Sequence, residues 1–342
     1  MKIALVKSAG FGDILHAAYS LQVLKAMDEN AEITWIASDK DSCFSALEGL
    51  IGIDRQIILP LRDRSFFNLA RYFKAARLLQ AHEFDLVFDL QHELRNAFFA
   101  YLAGKSGHIF SSLKAQVWGF DKNCTWSKCA SCFYSHKLAL ELLNSYTREH
   151  KLKEVSYFHN RIYRSLALVH RAFGRDFGEY EFRAFMASKK PLYEIENAKR
   201  EDFIILQIGS SGMAKVLDLE KLKQLLRSLE ELSLPVVLTA ASNVEFERAK
   251  ALQSEFGCLQ IAQTATWHEL VRLVSSSALL IGFDTGPSHI ALAQNVPSIL
   301  LYGPTPAKLF TWQTPINKAL QLDESFSNFS ARETVDLAST LL

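Results

Sequence analysis

The sequence has almost no excess charge of either sign and no long apolar run. Across 342 residues, 38 lysines and arginines stand against 37 aspartates and glutamates, a formal net charge of +1. A dedicated nucleic-acid-binding protein usually has a strongly basic balance, so the composition argues against that class. The first apolar run, residues 3–6, is too short for a signal-peptide core, and no later stretch approaches a membrane-spanning length. We therefore expect a cytoplasmic location.

Cysteine is also scarce, and the five cysteines, an odd number, do not suggest a disulfide framework. Three of them, Cys124, Cys129 and Cys132, lie in one stretch with His136 and offer the ligands of a zinc site. Zinc fingers and ribbons usually have two ligand pairs separated by a long gap, whereas these four residues lie together. We therefore favour small buried cysteines on a helix packed near Phe133, and we predict no metal site.

What the sequence does contain is a repeated alternation of strands and helices. Short apolar runs indicate buried strands, and segments with helical spacing separate them. The first series of runs occupies residues 2–6, 33–36, 56–59 and 85–89. The second occupies residues 203–208, 235–239, 278–283 and 298–302. This order predicts two α/β domains, each with a parallel sheet covered by helices.

The length of the chain also suits two domains better than one. We predict a first domain at residues 1–172 and a second at residues 201–325. The more charged, less periodic segment 173–200 is expected to link them. Residues 326–342 are expected to end in a helix that packs back on the first domain.

Polar or glycine-rich segments follow three of the predicted strands, at residues 7–13, 209–215 and 284–289. In open α/β sheets, ligands bind at this carboxyl end of the strands. The first segment lacks the third glycine of GxGxxG, and no stretch reads GxxxxGK[ST], so a nicotinamide dehydrogenase is poorly supported. The third segment, DTGPSH, opens a helix with free N–H groups, small residues and hydroxyls, which is typical of a phosphate site. Helix capping by Asp284 and Thr285 explains the same residues equally well.

Three stretches carry a resemblance to a known family. They are MKIALVKSAGFGDILHA, FDLVFDLQHELRNAF and FDTGPSHIALAQNVPSILLYGPTPAKLF. These are similar to the GD-x-x-H opening, the strand ending in D-x-Q and the DTG-x-SH helix entrance of the ADP-heptose:lipopolysaccharide heptosyltransferases, glycosyltransferase family 9. The matches run in order from residue 1 to about residue 310. The DTG-x-SH form resembles the heptosyltransferase I branch more than the II branch.

The resemblance implies a GT-B fold, in which two Rossmann-like domains with parallel sheets face each other across a central cleft. It implies an inverting transfer of heptose from ADP-L-glycero-D-manno-heptose to a Kdo-lipid A core glycolipid, with no bound metal or other cofactor. The first domain would bind the acceptor and the second the nucleotide sugar. Peripheral contact with the cytoplasmic face of the inner membrane would follow from a lipid acceptor, and no nucleic acid is implied.

The resemblance also implies roles for the residues that match the motifs. Asp13 stands at the position of the general base, although a helix N-cap is an alternative. Lys215 would offset charge on the departing ADP, although a solvated surface lysine is the alternative. Glu245 would lie next to the adenosine, with an exposed acid at a helix start as its alternative. The implied donor-binding residues are Ser210, Ser211, Lys215, Glu245, Asp284, Thr285, Gly286 and His289.

The acceptor side departs more from the family pattern. Relatives have Q-G-x-x-K-S where this chain has His92 after Gln91, and an arginine where it has Trp126. Basic residues at 71, 74 and 77 extend a basic stretch along a predicted helix that could face glycolipid or anionic membrane, or only solvent. The implied acceptor-binding residues are Gly12, Asp13, Arg62, Arg64, Gln91 and Arg95.

Two further functions stay open on the sequence. The chain could be a family member that uses another acceptor or another nucleotide sugar. It could also be a catalytically silent protein that binds sugar nucleotides, although Asp13, Lys215 and Asp284 are all present. An inverting heptosyltransferase is the leading hypothesis.

Overall fold

The computed structural model describes residues 1–39, 42–60, 69–105, 112–125, 127–140, 157–195, 199–210, 212–264 and 266–342. Within these residues the chain forms two compact units, Met1–Phe185 and Met186–Leu342. The segment predicted as a linker, 173–200, contains a helix, and the division between the units falls inside that helix.

The first unit contains a six-stranded parallel sheet with the strand order β3-β2-β1-β4-β5-β6. Its strands are β1 Lys2–Val6, β2 Glu32–Ser38, β3 Arg55–Leu59, β4 Leu86–Asp89, β5 Gln116–Phe120 and β6 His136–Leu138. Its helices are α1 Phe11–Met27, α2 Leu69–Gln80, α3 Leu94–Ala103, α4 Arg161–Ala172 and α5 Glu179–Ser188, the last of which crosses into the second unit.

The second unit repeats this architecture with the strand order β12-β11-β10-β7-β8-β9. Its strands are β7 Glu201–Gln207, β8 Val236–Thr239, β9 Gln260–Ala262, β10 Ser277–Phe283, β11 Ser298–Tyr302 and β12 Asn317–Gln321. Its helices are α6 Leu219–Leu229, α7 Asn243–Glu255, α8 Trp267–Ser276, α9 Gly286–Ala293, α10 Ala307–Phe310 and α11 Ala331–Leu341. Read from β9, this order is the same as that of the first sheet read from β3.

The apolar runs form the central strands because both faces of each sheet are covered. Strands β1 and β4 bury nearly all of their residues, and β8 and β11 bury every one. Such continuous apolar runs are typical of parallel strands between two helical layers. The predicted α/β class with two parallel sheets is therefore confirmed.

The predicted C-terminal helix is present as α11, and its buried face belongs to the second unit. Helix α11 packs against α6 and β11, and its residues Val335 and Ala338 belong to the core of the second unit. Arg332 adds an ion pair with Glu231 of the same unit. The apolar face of α11 thus completes the helical layer beside the sheet of its own unit, and the packing of this helix on the first domain stays a prediction.

The cysteine stretch is only partly buried. Cys124 is buried and its thiol contacts the Leu140 carbonyl, whereas Cys129 and Cys132 are exposed on the 3₁₀ helix Lys128–Phe133. The expectation of buried cysteines is therefore wrong for these two. The His136 ring stacks on Trp118 instead of approaching the thiols. In the part of the chain that the structure describes, no three His, Cys, Asp or Glu side chains group as metal ligands.

Among the described residues, no helix is long and apolar enough to cross a membrane.

Candidate functional site

The second unit brings three of the predicted site residues together at the carboxyl end of its sheet. Asp284 directly follows β10, and its side chain is only 8% exposed. Lys215, from the segment after β7, places Nζ 2.8 Å from Asp284 Oδ2. His289, one turn into α9, places Nε2 3.3 Å from Asp284 Oδ1. A buried carboxylate thus has one basic side chain on each oxygen.

These contacts decide the charge of Asp284. Burial alone would raise the pKa of a carboxyl group, because it penalises the ionised form. Here the hydrogen bonds and positive charge of His289 and Lys215 outweigh burial and hold the pKa of Asp284 well below its usual range. The carboxylate therefore stays ionised at physiological pH and accepts hydrogen bonds.

The entrance of α9 is an open helix N-terminus. Thr285 is the N-cap residue, but its side chain does not bond to the first-turn amides, all of which the structure describes. Its hydroxyl instead lies 3.5 Å from the Phe283 carbonyl. The capping interpretation of Asp284 and Thr285 is therefore wrong, because the Asp284 oxygens are bound by Lys215 and His289. The first N–H groups of a helix have no partner within the helix, and Gly286 at this entrance is partly exposed.

Close packing fixes this entrance on the sheet. A Cβ atom built on Gly282 would lie 2.7 Å from both Gln207 Oε1 and Ser288 Oγ, so a larger residue would push α9 away. Gln207 in turn accepts from the Ser288 hydroxyl at 3.2 Å. The positions of Asp284 and His289 are thus set by packing within the second unit.

Glu245 lies at the same edge of the sheet and caps α7. Its carboxylate accepts from the amides of Ala241 and Ser242, and the Ser242 hydroxyl completes a capping box. A Cβ on Gly209 would lie 2.1 Å from the Glu245 carboxyl group, so the glycine permits this close approach. Glu245 does lie at a helix start, as the alternative interpretation predicted, but it is partly buried and accepts from two loop amides.

Two serines were also predicted in the segment after β7. The Ser210 hydroxyl accepts from the Gly212 amide at 3.3 Å. Ser211 lies outside the described residues.

In the first unit, Asp13 lies in the first turn of α1 and not at its cap. The helix begins at Phe11 with Gly10 as the N-cap residue, so the N-cap alternative for Asp13 is wrong. The Asp13 carboxylate is 24% exposed and accepts a hydrogen bond from the guanidinium of Arg161, at the start of α4. His16 Nδ1 lies 4.0 Å from the same oxygen, Oδ1. Asp13 is thus held by a residue far away in the sequence.

A buried polar cluster lies at the carboxyl ends of β1 and β4. Asp89 is fully buried and accepts from the Tyr134 hydroxyl at 2.6 Å and from the amides of Gln91 and His92. Burial raises the pKa of Asp89 to about 6, despite these donors. Lys7, also buried, donates to the Leu90 carbonyl at 2.9 Å. Burial, and then the nearby Arg161 charge, lower the pKa of Lys7 to about 7.

The predicted acceptor residues are brought together only in part. Gly12 and Asp13 are adjacent in α1, and the Gln91 side chain donates to Glu93 at 3.2 Å. Arg95 is partly exposed on the first turn of α3. Arg62, Arg64 and Trp126 lie outside the described residues.

His92 adopts the left-handed conformation with φ 63° where relatives have a glycine, and it packs edge-on against Phe120. Position 92 has a left-handed backbone, which glycine adopts most easily, and this chain places a histidine there.

Arg161, Lys7, Asp89 and Tyr134 were not among the predicted site residues. Lys7 and Asp89 stand directly at strand ends, which is a usable signal in a parallel sheet. The pairing of Arg161 with Asp13 spans 148 residues and has no local signal.

Comparison with known proteins places these features in a family context. The sequence model of glycosyltransferase family 9 (heptosyltransferase) matches residues 72–334. Lipopolysaccharide heptosyltransferase 1 from Campylobacter coli is 28% identical over 341 residues, which cover 96% of this chain and 91% of that protein. The Salmonella typhimurium protein of the same name is 21% identical and covers 89% of each chain.

Solved structures show the same fold. Escherichia coli heptosyltransferase WaaC with ADP matches with a TM-score of 0.76 at 19% identity, over 100% of both chains. The same enzyme with ADP-2-deoxy-2-fluoro heptose has a TM-score of 0.73 at 19% identity and 99% coverage of each chain. Escherichia coli ADP-heptose lps heptosyltransferase II has a TM-score of 0.66 at 16% identity, over 100% of this chain and 98% of that chain.

Proposed function

The chain belongs to glycosyltransferase family 9, and we propose that it transfers heptose from ADP-L-glycero-D-manno-heptose to the Kdo-lipid A inner core of lipopolysaccharide, with inversion. The observation that carries this proposal is the ionised Asp284 between Lys215 and His289 at the open entrance of α9. Such an entrance suits a diphosphate, and the carboxylate beside it suits sugar hydroxyls. The names of the related proteins support heptose as the sugar.

In this proposal the second unit binds the donor. Lys215 is 37% exposed, so its ammonium group can turn from Asp284 toward a bound diphosphate. The N–H groups at Gly286 and the Thr285 hydroxyl would bind the same phosphates, with Ser210 and Ser211 beside them. Asp284 and His289 would form hydrogen bonds with the heptose, and Glu245 would lie next to the adenosine. As the bond to ADP breaks, negative charge grows on the leaving oxygen, and Lys215 would stabilise it.

The first unit would supply the base. The acceptor hydroxyl oxygen forms the new bond to the anomeric carbon on the face opposite the diphosphate, which inverts the configuration. Its proton passes to Asp13, and the electron pair of the broken bond leaves with ADP. Asp13 is partly exposed in the first turn of α1, which suits this role.

Acceptor recognition is assigned to the first unit in this proposal. Gly12, Gln91 and Arg95, together with Arg62 and Arg64, would bind the acidic acceptor. Departures from the family at His92 and Trp126 support an alternative, a family member with a different acceptor or nucleotide sugar. A silent sugar-nucleotide-binding protein is the other alternative, and the presence of Asp13, Lys215 and Asp284 speaks against it.

A transfer assay tests the proposal. The purified chain is incubated with Kdo-lipid A and either ADP-heptose or UDP-, GDP- and CMP-sugars, and the anomeric configuration of the product is read by NMR. Melting temperature is measured with each donor, since a ligand at one hundred times its Kd stabilises by about 2.7 kcal/mol. We expect transfer and stabilisation with ADP-heptose only. Preference for another base, or donor binding without transfer to any acceptor, would contradict the proposal.

We also propose that the enzyme works in the cytoplasm, at the inner face of the membrane, through helix α2. Lys74 and Arg77 are exposed on this helix, beside Phe73 at 60% and Leu78 at 38% exposure. Cations next to exposed apolar side chains suit an anionic bilayer surface. Lys74→Glu with Arg77→Glu should weaken cosedimentation with phosphatidylglycerol vesicles, with phosphatidylcholine vesicles as the control. Unchanged binding would mean that this face of α2 is only solvated.

A further inference from the structure

We propose that Arg161 is a positioning residue for Asp13: it holds one carboxylate oxygen so that the other is aimed at the acceptor hydroxyl. The inference rests on the proposed function, because it assigns a role within the same transfer reaction. No sequence motif pointed to Arg161. The structure places its guanidinium against Asp13, and both side chains are partly exposed, 35% for Arg161 and 24% for Asp13.

The two polar contacts of Asp13 in the described part of the chain leave its oxygens in different surroundings. Arg161 donates to Oδ1, and His16 Nδ1 lies 4.0 Å from that same oxygen. Oδ2 lies on the side of Gly10 and is not crowded there, because even a Cβ added to Gly10 would be 4.0 Å away. An ion pair through one oxygen fixes the plane of the carboxylate and leaves Oδ2 as the atom to take the proton.

The guanidinium is placed by α4 and not by Asp13. Arg161 is the first residue of the helix, and its N-cap residue Asn160 is fully buried. The Asn160 side chain accepts from the amides of Ile162 at 2.9 Å and Tyr163 at 3.2 Å. An N-cap of this kind satisfies amides of the first turn and so fixes its geometry.

A second set of contacts anchors the same turn. The partly buried Arg164 donates through its guanidinium to the Cys124 carbonyl, and the guanidinium carbon lies 4.7 Å from the centre of the Phe120 ring. The Tyr163 hydroxyl donates to the Phe177 carbonyl at 2.7 Å. Helix α4 also packs along α1, which carries Asp13. Because both ends of the ion pair stand on packed helices, the fold determines their separation.

The orientation of the Asp13 carboxylate should affect the rate of transfer. A displacement of about 1 Å in a reacting group can cost on the order of 10²-fold in rate. Without Arg161, the Asp13 carboxylate would rotate among several rotamers. We therefore expect Arg161→Met to lower kcat by about 10- to 100-fold, with the donor Kd and the acceptor KM nearly unchanged. Arg161→Lys keeps the charge but not the planar fork, so it should restore part of the loss.

The experiment measures kcat, acceptor KM, donor Kd and Tm for the full chain and four variants. These are Arg161→Met, Arg161→Lys, Asp13→Asn and the double variant Asp13→Asn with Arg161→Met. Arg183→Met is the matched control, because Arg183 makes an exposed ion pair with Glu179 on α5 of the same region. If Arg161 acts through Asp13, the double variant should turn over no more slowly than Asp13→Asn alone, because residues that act as a unit are not additive.

Three outcomes would overturn the inference alone, given a wild type that transfers heptose. One is wild-type kcat in Arg161→Met. Another is a rise confined to acceptor KM, which would make Arg161 an acceptor ligand. The third is a large fall in Tm with no rescue by lysine, which would make it structural. A wild type that transfers no heptose would overturn the proposed function and this inference together.

Discussion

The two units share one strand order, yet the carboxylates at the ends of their fourth strands are held in opposite ways. Asp89 ends β4 and is fully buried, and burial raises its pKa to about 6. Asp284 follows β10 and is nearly as buried, yet its pKa lies well below the usual range. Burial alone therefore does not determine the direction in which the pKa of these two carboxyl groups shifts.

The difference comes from their hydrogen-bond partners. Asp89 accepts from the Tyr134 hydroxyl and from two backbone amides, all of which are neutral donors. The nearby Lys7 directs its ammonium group to the Leu90 carbonyl instead. Asp284 has Lys215 on one oxygen and His289 on the other. Asp284 is thus paired with two basic side chains, whereas Asp89 accepts from the amides of the loop that follows its strand.

The largest effect on kcat is expected from Asp13, and it tests whether the first unit supplies the general base. Asp13→Asn keeps the shape of the side chain but cannot take a proton, so kcat should fall by roughly 10² to 10⁴. Donor Kd should stay the same, because the donor residues belong to the second unit. Parallel measurements of kcat, donor Kd and Tm decide this. A variant that transfers at the wild-type rate would show that the base lies elsewhere.

A smaller effect is expected from the cation of the second unit. Lys215→Ala should lower kcat by about 10²-fold and weaken donor binding less, because the charge matters most as the diphosphate departs. Lys221→Ala is the matched control, since Lys221 pairs with Asp218 in the same unit and not with Asp284. Equal turnover in both variants would remove Lys215 from the mechanism.

Asp284 should affect binding of the sugar and not of the nucleotide. Asp284→Ala would remove the proposed hydrogen bonds to heptose hydroxyls. Each is worth about 1.5–3 kcal/mol with a charged partner, so ADP-heptose affinity should fall about 10-fold or more. ADP affinity should not fall, because Lys215 is freed for the phosphates. Calorimetric titration with both ligands gives the two constants. Equal losses would mean that Asp284 supports the site without contacting the sugar.

Many of the strands and some of the candidate site residues were predictable from the sequence. The elements and contacts that were missed have physical causes. Buried apolar runs predicted the central strands β1, β4, β7 and β10 because these are covered on both faces. Four strands were missed: β5, β6, β9 and β12. Strands β6 and β9 have only three residues each and carry too little pattern, and β12 is polar at both ends and mostly only half-buried. The terminal helix was predicted, but an amphipathic pattern says which face is buried and not what covers it. Asp284 and His289 are neighbours in sequence, whereas Asp13 and Arg161 meet only through folding.

The smallest expected effect uses pH to separate the two carboxylates. The folded state raises the pKa of Asp89 from 3.8 to about 6, so the stability it contributes is present below pH 4 and is lost as pH rises toward 6. Asp284 has the opposite shift, so its contribution is constant above pH 4 and is lost only in stronger acid. Lys7 stays protonated below pH 6 in both states and does not add to the change.

The measurement is the free energy of unfolding in urea at pH 4, 5 and 6, at constant ionic strength. Asp89→Asn keeps an oxygen for the Gln91 and His92 amides and an NH₂ group for the Tyr134 oxygen, so it removes the titration with little change in shape. The difference between wild type and Asp89→Asn should fall by on the order of 1 kcal/mol over this range, since one pKa unit corresponds to about 1.36 kcal/mol. The difference between wild type and Asp284→Asn should stay flat. If the free-energy difference changes with pH in the same way for Asp89→Asn and Asp284→Asn, the two carboxyl groups have similar pKa values. Neutral donors around Asp89 would then not distinguish it from Asp284.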